Sequence, residues 1–477
     1  MTDHGPTSPI ERALNAYARA FQRWLPSPFA IAVVLTFMAA GLALSSATPS
    51  AVVGAWTTGL WNPGLLRFGF QAMFMLVLGH VLALAPPVLW GLNRAVCWVT
   101  LTPRFAPAKV ALLSMVLGWL NWGLSLVAGA ILVRGVLDEM QKPQASAGLR
   151  SLSQGMLGAA GYTGLLVWHG GLSGSAPLKV AEAGHLASLV PQAAWAPLLP
   201  ETISLTETVF APWSLMVTGV VVAAVVALFA WLGGRVKGGL LEVEVTGSTQ
   251  EGHQEEATVQ PAETLGGVAE AMDTTPWIAL GLGAVTLGGA CWWALQSPGG
   301  MALSFVTPDW INMLLLALAL FAHGQVRGFL AALDKAIGGA SGILVQFPLY
   351  FGIMGIVTGT GLGPTLAGAL VDATSAAWLP ETLFVSAGVL NVFVPSGGGQ
   401  WAVQGPLVLE ACHALGVSWE RGIMAMAFGD ELTNMLQPFW ALPLLGITGL
   451  SARDILPYTL LVMVTAGTVM LLGMSFW

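Results

Sequence analysis

Asp430 and Glu431 are neighbouring acids inside an otherwise apolar run, and they carry the plainest potential for proton or cation chemistry in this chain. Ionisable residues inside an apolar span are costly and mark ion pathways. Adjacent helical residues point about 100° apart, so one of the two is expected to face a cavity. The competing reading is a structural bond from one of them to a nearby amide or helix end. His169 could titrate or donate to a substrate oxygen, or sit as a neutral, hydrogen-bonded core histidine. These three residues are the candidates for holding a coupling proton or ion.

A second set of residues could bind a small anion. Asn121, Gly123 and Ser125 follow an apolar run at its turning point. Gly171, Ser173, Gly174 and Ser175 precede Pro177. Asn391 precedes the Pro395, Ser396, Gly397, Gly398, Gly399 series, and Asn434 and Gln437 precede Pro438. Glycine lets the chain turn tightly and lets backbone amides approach a ligand. A helix that restarts after a break presents free N–H groups, which suit a carboxylate. Unwound carbonyls and Asn, Ser or Gln oxygens can coordinate a cation. The plainer alternative is that the glycines only pack helices together. That alternative is weakest at Pro395 to Gly399, because three successive glycines after Pro-Ser make a poor helix.

Enzyme chemistry finds no comparable footing. There is no HExxH and no paired-Asp motif, and Ser173 stands four residues after His169 across a helix-spoiling Gly170-Gly171 pair. Cys97, Cys291 and Cys412 are far apart and suggest neither a disulfide framework nor a zinc site. No catalytic residue, metal, cofactor or nucleic-acid partner is expected.

The elements that must position these groups follow from composition. Of 477 residues 55% are hydrophobic and 9% charged, against about 25% charged in a soluble domain. So few charges cannot cover a soluble fold of this length, and the surplus apolar surface must face lipid. Apolar stretches long enough to span a bilayer fall at 29–47, 65–85, 208–234, 275–296, 310–326, 341–358 and 455–475. Broken apolar regions fall at 107–134, 151–180, 381–412 and 421–448. The segment 1–28 reads as an interfacial amphipathic stretch, and 238–274 as an acidic cytoplasmic linker.

With a cytoplasmic N-terminus, only Arg67, Lys179 and Arg421 of the 17 Lys and Arg fall outside. That bias requires 107–134 to be a re-entrant hairpin from the inner side and 381–412 one from the outer side. The expected architecture is an all-α polytopic membrane protein of two inverted repeats with re-entrant hairpins and broken transmembrane helices. The first repeat would occupy 29–237. An extra spanning helix and outer loop at 275–309 would invert the second, at 310–477. Repeats of this kind point to a secondary transporter with its site at the midplane.

At these motifs the sequence resembles the short-chain fatty acid transporter family, the AtoE-like permeases. The matching residues are Asn121-Trp-Gly123, Gly170 to Pro177, Ile343 to Pro348, Val394 to Gly399 with Trp401 and Gln404-Gly-Pro406, and Asn434 to Pro443, with Arg23 to Pro28 at the N-terminus. The resemblance covers nearly the whole chain. It departs at Asp430 to Thr433 and at Gln400, where some relatives place His. It implies transport of small monocarboxylates such as acetoacetate or butyrate across a bacterial cytoplasmic membrane, with Trp122, Phe393 and Trp401 accepting the alkyl tail. The family is similar in plan to elevator-type ion transporters, which implies a moving transport domain, an H+ or Na+ co-ion, contact with membrane lipid and a homodimer. The alternatives are a carrier of a dicarboxylate or another organic anion, an intramembrane enzyme, and a channel.

Overall fold

The computed structural model describes residues 28–190, 193–236, 267–296, 308–362, 374–393 and 397–476, with isolated positions at 305, 365, 369 and 372. The interfacial segment expected before residue 28, most of the acidic linker and Ser396 lie outside the described residues.

Proline and short polar caps punctuate the helices. The first four are α1 (Pro28–Ala43), α2 (Pro49–Leu60), α3 (Pro63–Ala83) and α4 (Pro86–Thr100). Each begins on a proline, whose missing N–H would be unsatisfied there in any case. Thr48 and Asn62 cap α2 and α3 by accepting the amides of Ala51 and Leu65. The first hairpin follows as α5 (Ala106–Leu120) and α6 (Trp122–Gln141). Its turn is the single residue Asn121, whose Oδ1 accepts the Leu124 amide at 2.9 Å.

The chain then forms α7 (Gln154–Tyr162), loses helical geometry after a 3-10 turn at Thr163–Leu166, and restarts as α8 (Ser175–Val180). A connector leads to α9 (Pro212–Gly233). A short helix, Val268–Thr274, precedes α10 (Pro276–Gln296), followed by α11 (Pro308–His323) and the 34-residue α12 (Val326–Gly359). The second hairpin is α13 (Leu379–Phe393) and α14 (Gly397–Leu415). The second broken helix is α15 (Trp419–Thr433), a 3-10 turn at Asn434–Leu436, and α16 (Pro438–Thr448). The final helix is α17 (Ala452–Met474).

The seven apolar stretches all become helices, and among the described residues three of these, α9, α10 and α17, are long and apolar enough to cross a membrane alone. Two helices of twelve or more residues lie outside both the apolar stretches and the broken regions. Helix α2 is too short to register as a span, and α4 carries Asn93 and Arg94 within an amphipathic pattern. Helix α12 starts 15 residues before the stretch at 341–358, because Asp334 and Lys335 interrupt its apolar character without interrupting its backbone hydrogen bonds.

The helices pack as two groups. Helices α2, α3 and α1 pack on α12, and α10 packs on α11, which in turn packs on α3. The second group holds both hairpins, both broken helices, α9 and α17, with α13 against α15, α5 against α9, and α17 against α7. Helix α6 bridges the groups by packing on α3 and on α16. Backbones come into direct contact between α5 and the 3-10 turn after α7, where a Cβ on Gly118 would overlap the Gly164 carbonyl, and between α15 and α13, where one on Gly429 would overlap the Phe384 carbonyl. Small residues of this kind let membrane helices approach backbone to backbone.

Candidate functional site

The irregular stretch 167–174 is held by the turn of the first hairpin. The Leu172 amide donates to the Trp119 carbonyl at 2.7 Å, and the Trp122 amide donates to Ser173 Oγ at 3.1 Å. Gly171 lies directly on the Trp119 carbonyl, with no space for a Cβ. Non-helical backbone at membrane depth needs such partners or a water-filled cavity.

The two breaks are tied to each other. The Tyr162 hydroxyl, at the end of α7, bonds the carbonyls of Asn434 and Gln437 at 2.8 and 2.9 Å. Asn391 on α13 joins them: its Nδ2 reaches the Asp430 carbonyl at 2.7 Å, Thr433 Oγ1 at 2.9 Å and Asn434 Oδ1 at 3.0 Å. Gln437 Nε2 donates in return to the Asn391 carbonyl at 2.6 Å. The polar residues of the second break are thus largely consumed in holding it open.

A cavity of about 520 Å³ lies between the two helix groups. Pockets of this size suit small ligands. On one side it is walled by α3, α10 and α11 through Leu65, Met75, Trp293 and Ile311. On the other it is walled by Trp122, Trp168, Trp440 and the irregular backbone. Of the expected binding residues, Ser173, Ser175, Gly397, Gly398, Gly399 and Asn434 line it.

The remaining expected residues, apart from Ser396 outside the described residues, do not line the cavity. Asn121 caps α6, Ser125 Oγ donates to the Ser114 carbonyl at 2.6 Å, and Asn391 and Gln437 brace the second break. Gly123 packs on Met75 Cγ, and Gly171 and Gly174 lie against backbone carbonyls. At these positions the helix-packing alternative describes the contacts. Trp401 also stands away from the cavity, buried, with its Nε1 donating to His185 Nε2 at 2.9 Å.

Asp430, Glu431 and His169 sit together behind the cavity wall, each fully buried or nearly so. Glu431 Oε2 accepts the amides of His169 at 2.7 Å and Gly170 at 3.2 Å, so this acid clamps the first break to the second. His169 Nδ1 bonds the Ala427 carbonyl at 3.1 Å and stands 4.0 Å from Asp430 Oδ1. Asp430 Oδ2, Glu431 Oε1 and His169 Nε2 have no hydrogen-bond partner among the described residues. Buried unsatisfied polar atoms are few in folded proteins, and each calls for a reason.

Two basic residues stand at the cavity, neither of them on a hairpin tip. Arg67 and Lys179 both line the cavity. Arg67 pairs with Asp309 at 2.8 Å, whose other oxygen accepts Gln71 Nε2 at 2.6 Å. Lys179 pairs with Glu182 at 2.9 Å. Arg67 and Asp309 are 242 residues apart in the chain, and no local pattern announces their meeting.

The model of the family described as short chain fatty acid transporter matches residues 9–477. The chain belongs to the short-chain fatty acid transporter family. A family relative from Escherichia coli (strain K12), provisionally named a short-chain fatty acid transporter, is 30% identical over 475 residues, covering 98% of this chain and all of that protein. One of the same provisional name from Haemophilus influenzae is 28% identical over 476 residues, with the same coverage. Two solved structures are more distantly similar. MtrF of Neisseria gonorrhoeae, titled as illuminating a class of antimetabolite efflux pumps, has a TM-score of 0.46 at 13% identity, over 98% of this chain and 97% of its own. The YdaH transporter of Alcanivorax borkumensis has a TM-score of 0.44 at 17% identity, over 94% and 97%. This member of the short-chain fatty acid transporter family is therefore a transporter built from apolar helices, not an enzyme.

Proposed function

We propose that this protein carries short-chain monocarboxylates across a bacterial cytoplasmic membrane, with its N-terminus cytoplasmic, by an elevator-like exchange of the cavity between the two faces. One observation carries the reading: the first break, the second break and the start of α14 contribute to the wall of one cavity that lies between two helix groups. Ser173, Ser175 and the amides of Gly397 to Gly399 would take the carboxylate, and Trp122, Trp168 and Trp440 the alkyl tail. The group holding both breaks would move against the group holding α3, α11 and α12, as the transport and scaffold parts. The repeated order of hairpin, broken helix and long helix supports reading the halves as inverted repeats. A homodimer formed through the scaffold part completes the proposal.

Asp430, Glu431 and His169 would hold the coupling proton or sodium ion. They are buried, mutually close and incompletely bonded, and they support the very backbone that walls the cavity. An ion there shifts the carrier between states only if it binds one state better. Filling the cluster would tighten or loosen the clamp between the breaks.

A dicarboxylate is the second reading, favoured by Arg67 and Lys179 at the cavity. Both are paired with carboxylates, which leaves little net positive charge for a second anionic group. The deciding experiment is thermal stabilisation of the purified protein by C2 to C6 monocarboxylates and by succinate, with and without sodium and at two pH values. The proposal expects stabilisation by butyrate-sized acids, together with saturable counterflow of unaltered labelled butyrate in liposomes. Preferential stabilisation by succinate would replace it with the second reading, and unitary currents with a channel.

A further inference from the structure

Helix α4 is amphipathic and lies at the surface. Val96 and Val99 are buried, and Gly135 of α6 packs on Val96. The opposite face carries Trp90, Arg94 and Trp98 at successive helical turns, with Trp90 62% and Trp98 43% exposed. Apolar residues on one side with cation and indole on the other describe a helix lying in a membrane interface.

The cations in this region lie over aromatic rings. Arg94 stacks on Trp90 at 4.4 Å, and Lys109 of α5 stacks on Trp98 at 4.5 Å while donating to the Trp98 carbonyl at 2.5 Å. Arg104 lies over Phe105 at 5.4 Å, and Arg235 over Trp231 at 4.8 Å. Gly233 and Gly234 pack directly on Arg104, which brings the end of α9 beside the start of α5. None of these four cations makes an ion pair among the described residues, whereas Arg67, Arg134, Lys142, Lys179 and Arg327 each have a carboxylate. The carboxylates of the neighbouring α6 are already engaged, Asp138 by Arg134 and Glu139 by Lys142.

We infer that the surface formed by α4, the start of α5 and the end of α9 is a binding site for the phosphate headgroup of an anionic phospholipid. Among the described residues the charge is uncompensated, as an anion requires. Aromatic faces hold the cations at the depth where headgroup phosphates lie. The exposed Trp90, Trp98 and Leu101 offer apolar surface to the acyl chains beneath. A soluble phosphate would have no use for that apolar floor, so the lipid is the occupant. Each Lys or Arg near a membrane surface strengthens anionic-lipid binding about five-fold.

The test uses the full-length protein in detergent, with added phosphatidylglycerol, phosphatidylcholine or inorganic phosphate, read by native mass spectrometry and by Tm. Phosphatidylglycerol is expected to bind and raise Tm, while the neutral lipid and inorganic phosphate do neither. The preference should weaken markedly as salt is raised to about 1 M, where the screening length is roughly 3 Å. In the double variant Arg94→Gln, Lys109→Gln, phosphatidylglycerol binding should fall by roughly tenfold or more. Arg134→Gln combined with Asp138→Asn, which removes an already compensated pair, should bind like the parent. Equal binding of neutral and anionic lipid, a preference indifferent to salt, or undiminished binding by the double variant would each overturn the inference. The salt titration uses the unmodified chain, so a variant that fails to fold still leaves a decisive result.

Discussion

Gly397 lies directly against His169, with nothing between the glycine on the cavity wall and the imidazole behind it. A Cβ on Gly397 would sit 2.7 Å from His169 Cε1, as far from Trp168 Cη2, and closer still to His169 Nε2. Gly397→Ala must therefore push either the imidazole or the start of α14. Overpacking of this kind costs about 1–3 kcal/mol. Uptake of labelled butyrate into proteoliposomes is expected to fall at least roughly tenfold, since a displaced wall reshapes the cavity. Gly446→Ala, at a position with open space beside it, should transport like the parent. Normal uptake by Gly397→Ala would detach the His169 contact from function.

Glu431 separates charge from support. Glu431→Gln keeps an oxygen that can accept the His169 and Gly170 amides but removes the carboxylate. The variant should remain folded, with Tm within a few degrees, while the dependence of uptake on pH or sodium disappears. Glu431→Ala leaves both buried amides unpaired, at about 1–3 kcal/mol each, and should lower Tm clearly. A Gln variant that retains the parent's ion dependence would remove Glu431 from the coupling proposal.

Lys179 and Glu182 test what the cavity's charges contribute. Their pair is partly exposed, so its loss should barely alter Tm. Lys179→Gln leaves Glu182 uncompensated beside the cavity and should raise the KM for an anionic substrate roughly threefold to tenfold, more at low salt. Lys179→Gln combined with Glu182→Gln restores the net charge. Recovery of KM in the double variant indicates a field effect, and continued impairment indicates direct contact of Lys179 with substrate.

His185 supplies a pH dependence outside the spanning helices, in the connector before α9. Burial lowers its pKa below the ordinary 6.5, the Lys179 charge lowers it further, and Glu182 opposes both. Neutral His185 Nε2 accepts the Trp401 indole N–H. A depressed folded-state pKa means the unfolded chain binds the proton more readily, so stability is complete above about 6.5 and is lost as pH falls below it. Tm measured from pH 8 to pH 5 should decline, and His185→Gln should flatten that decline. An unchanged slope in the variant would assign the acid sensitivity elsewhere.

Much of the architecture is legible in one dimension because a bilayer imposes local rules. Pro63, Pro212, Pro276 and Pro438 begin helices, and Asn121 turns the first hairpin, each through bonds to residues a few positions away. The breaks at 167–174 and 434–437 are legible for the same reason: Gly170, Gly171 and Gly174 disfavour helix in the first, and Pro438, directly after the second, disfavours helical geometry at Gln437. Helix α4 is missed because its apolar face is half its circumference, and averaging along the chain hides a pattern that exists only around the axis.

Site membership is a different kind of fact. Ser173 and Ser125 carry the same hydroxyl beside similar glycines, yet one lines the cavity and the other is spent on the Ser114 carbonyl. Arg67 meets Asp309, and Glu431 meets His169 and Gly170, across more than 240 residues. Propensity, patterning and breakage depend on near neighbours and are written in the order of residues. Which polar group is left over for a ligand depends on which partners packing brings within about 3 Å, and that is settled when the two helix groups close around the cavity.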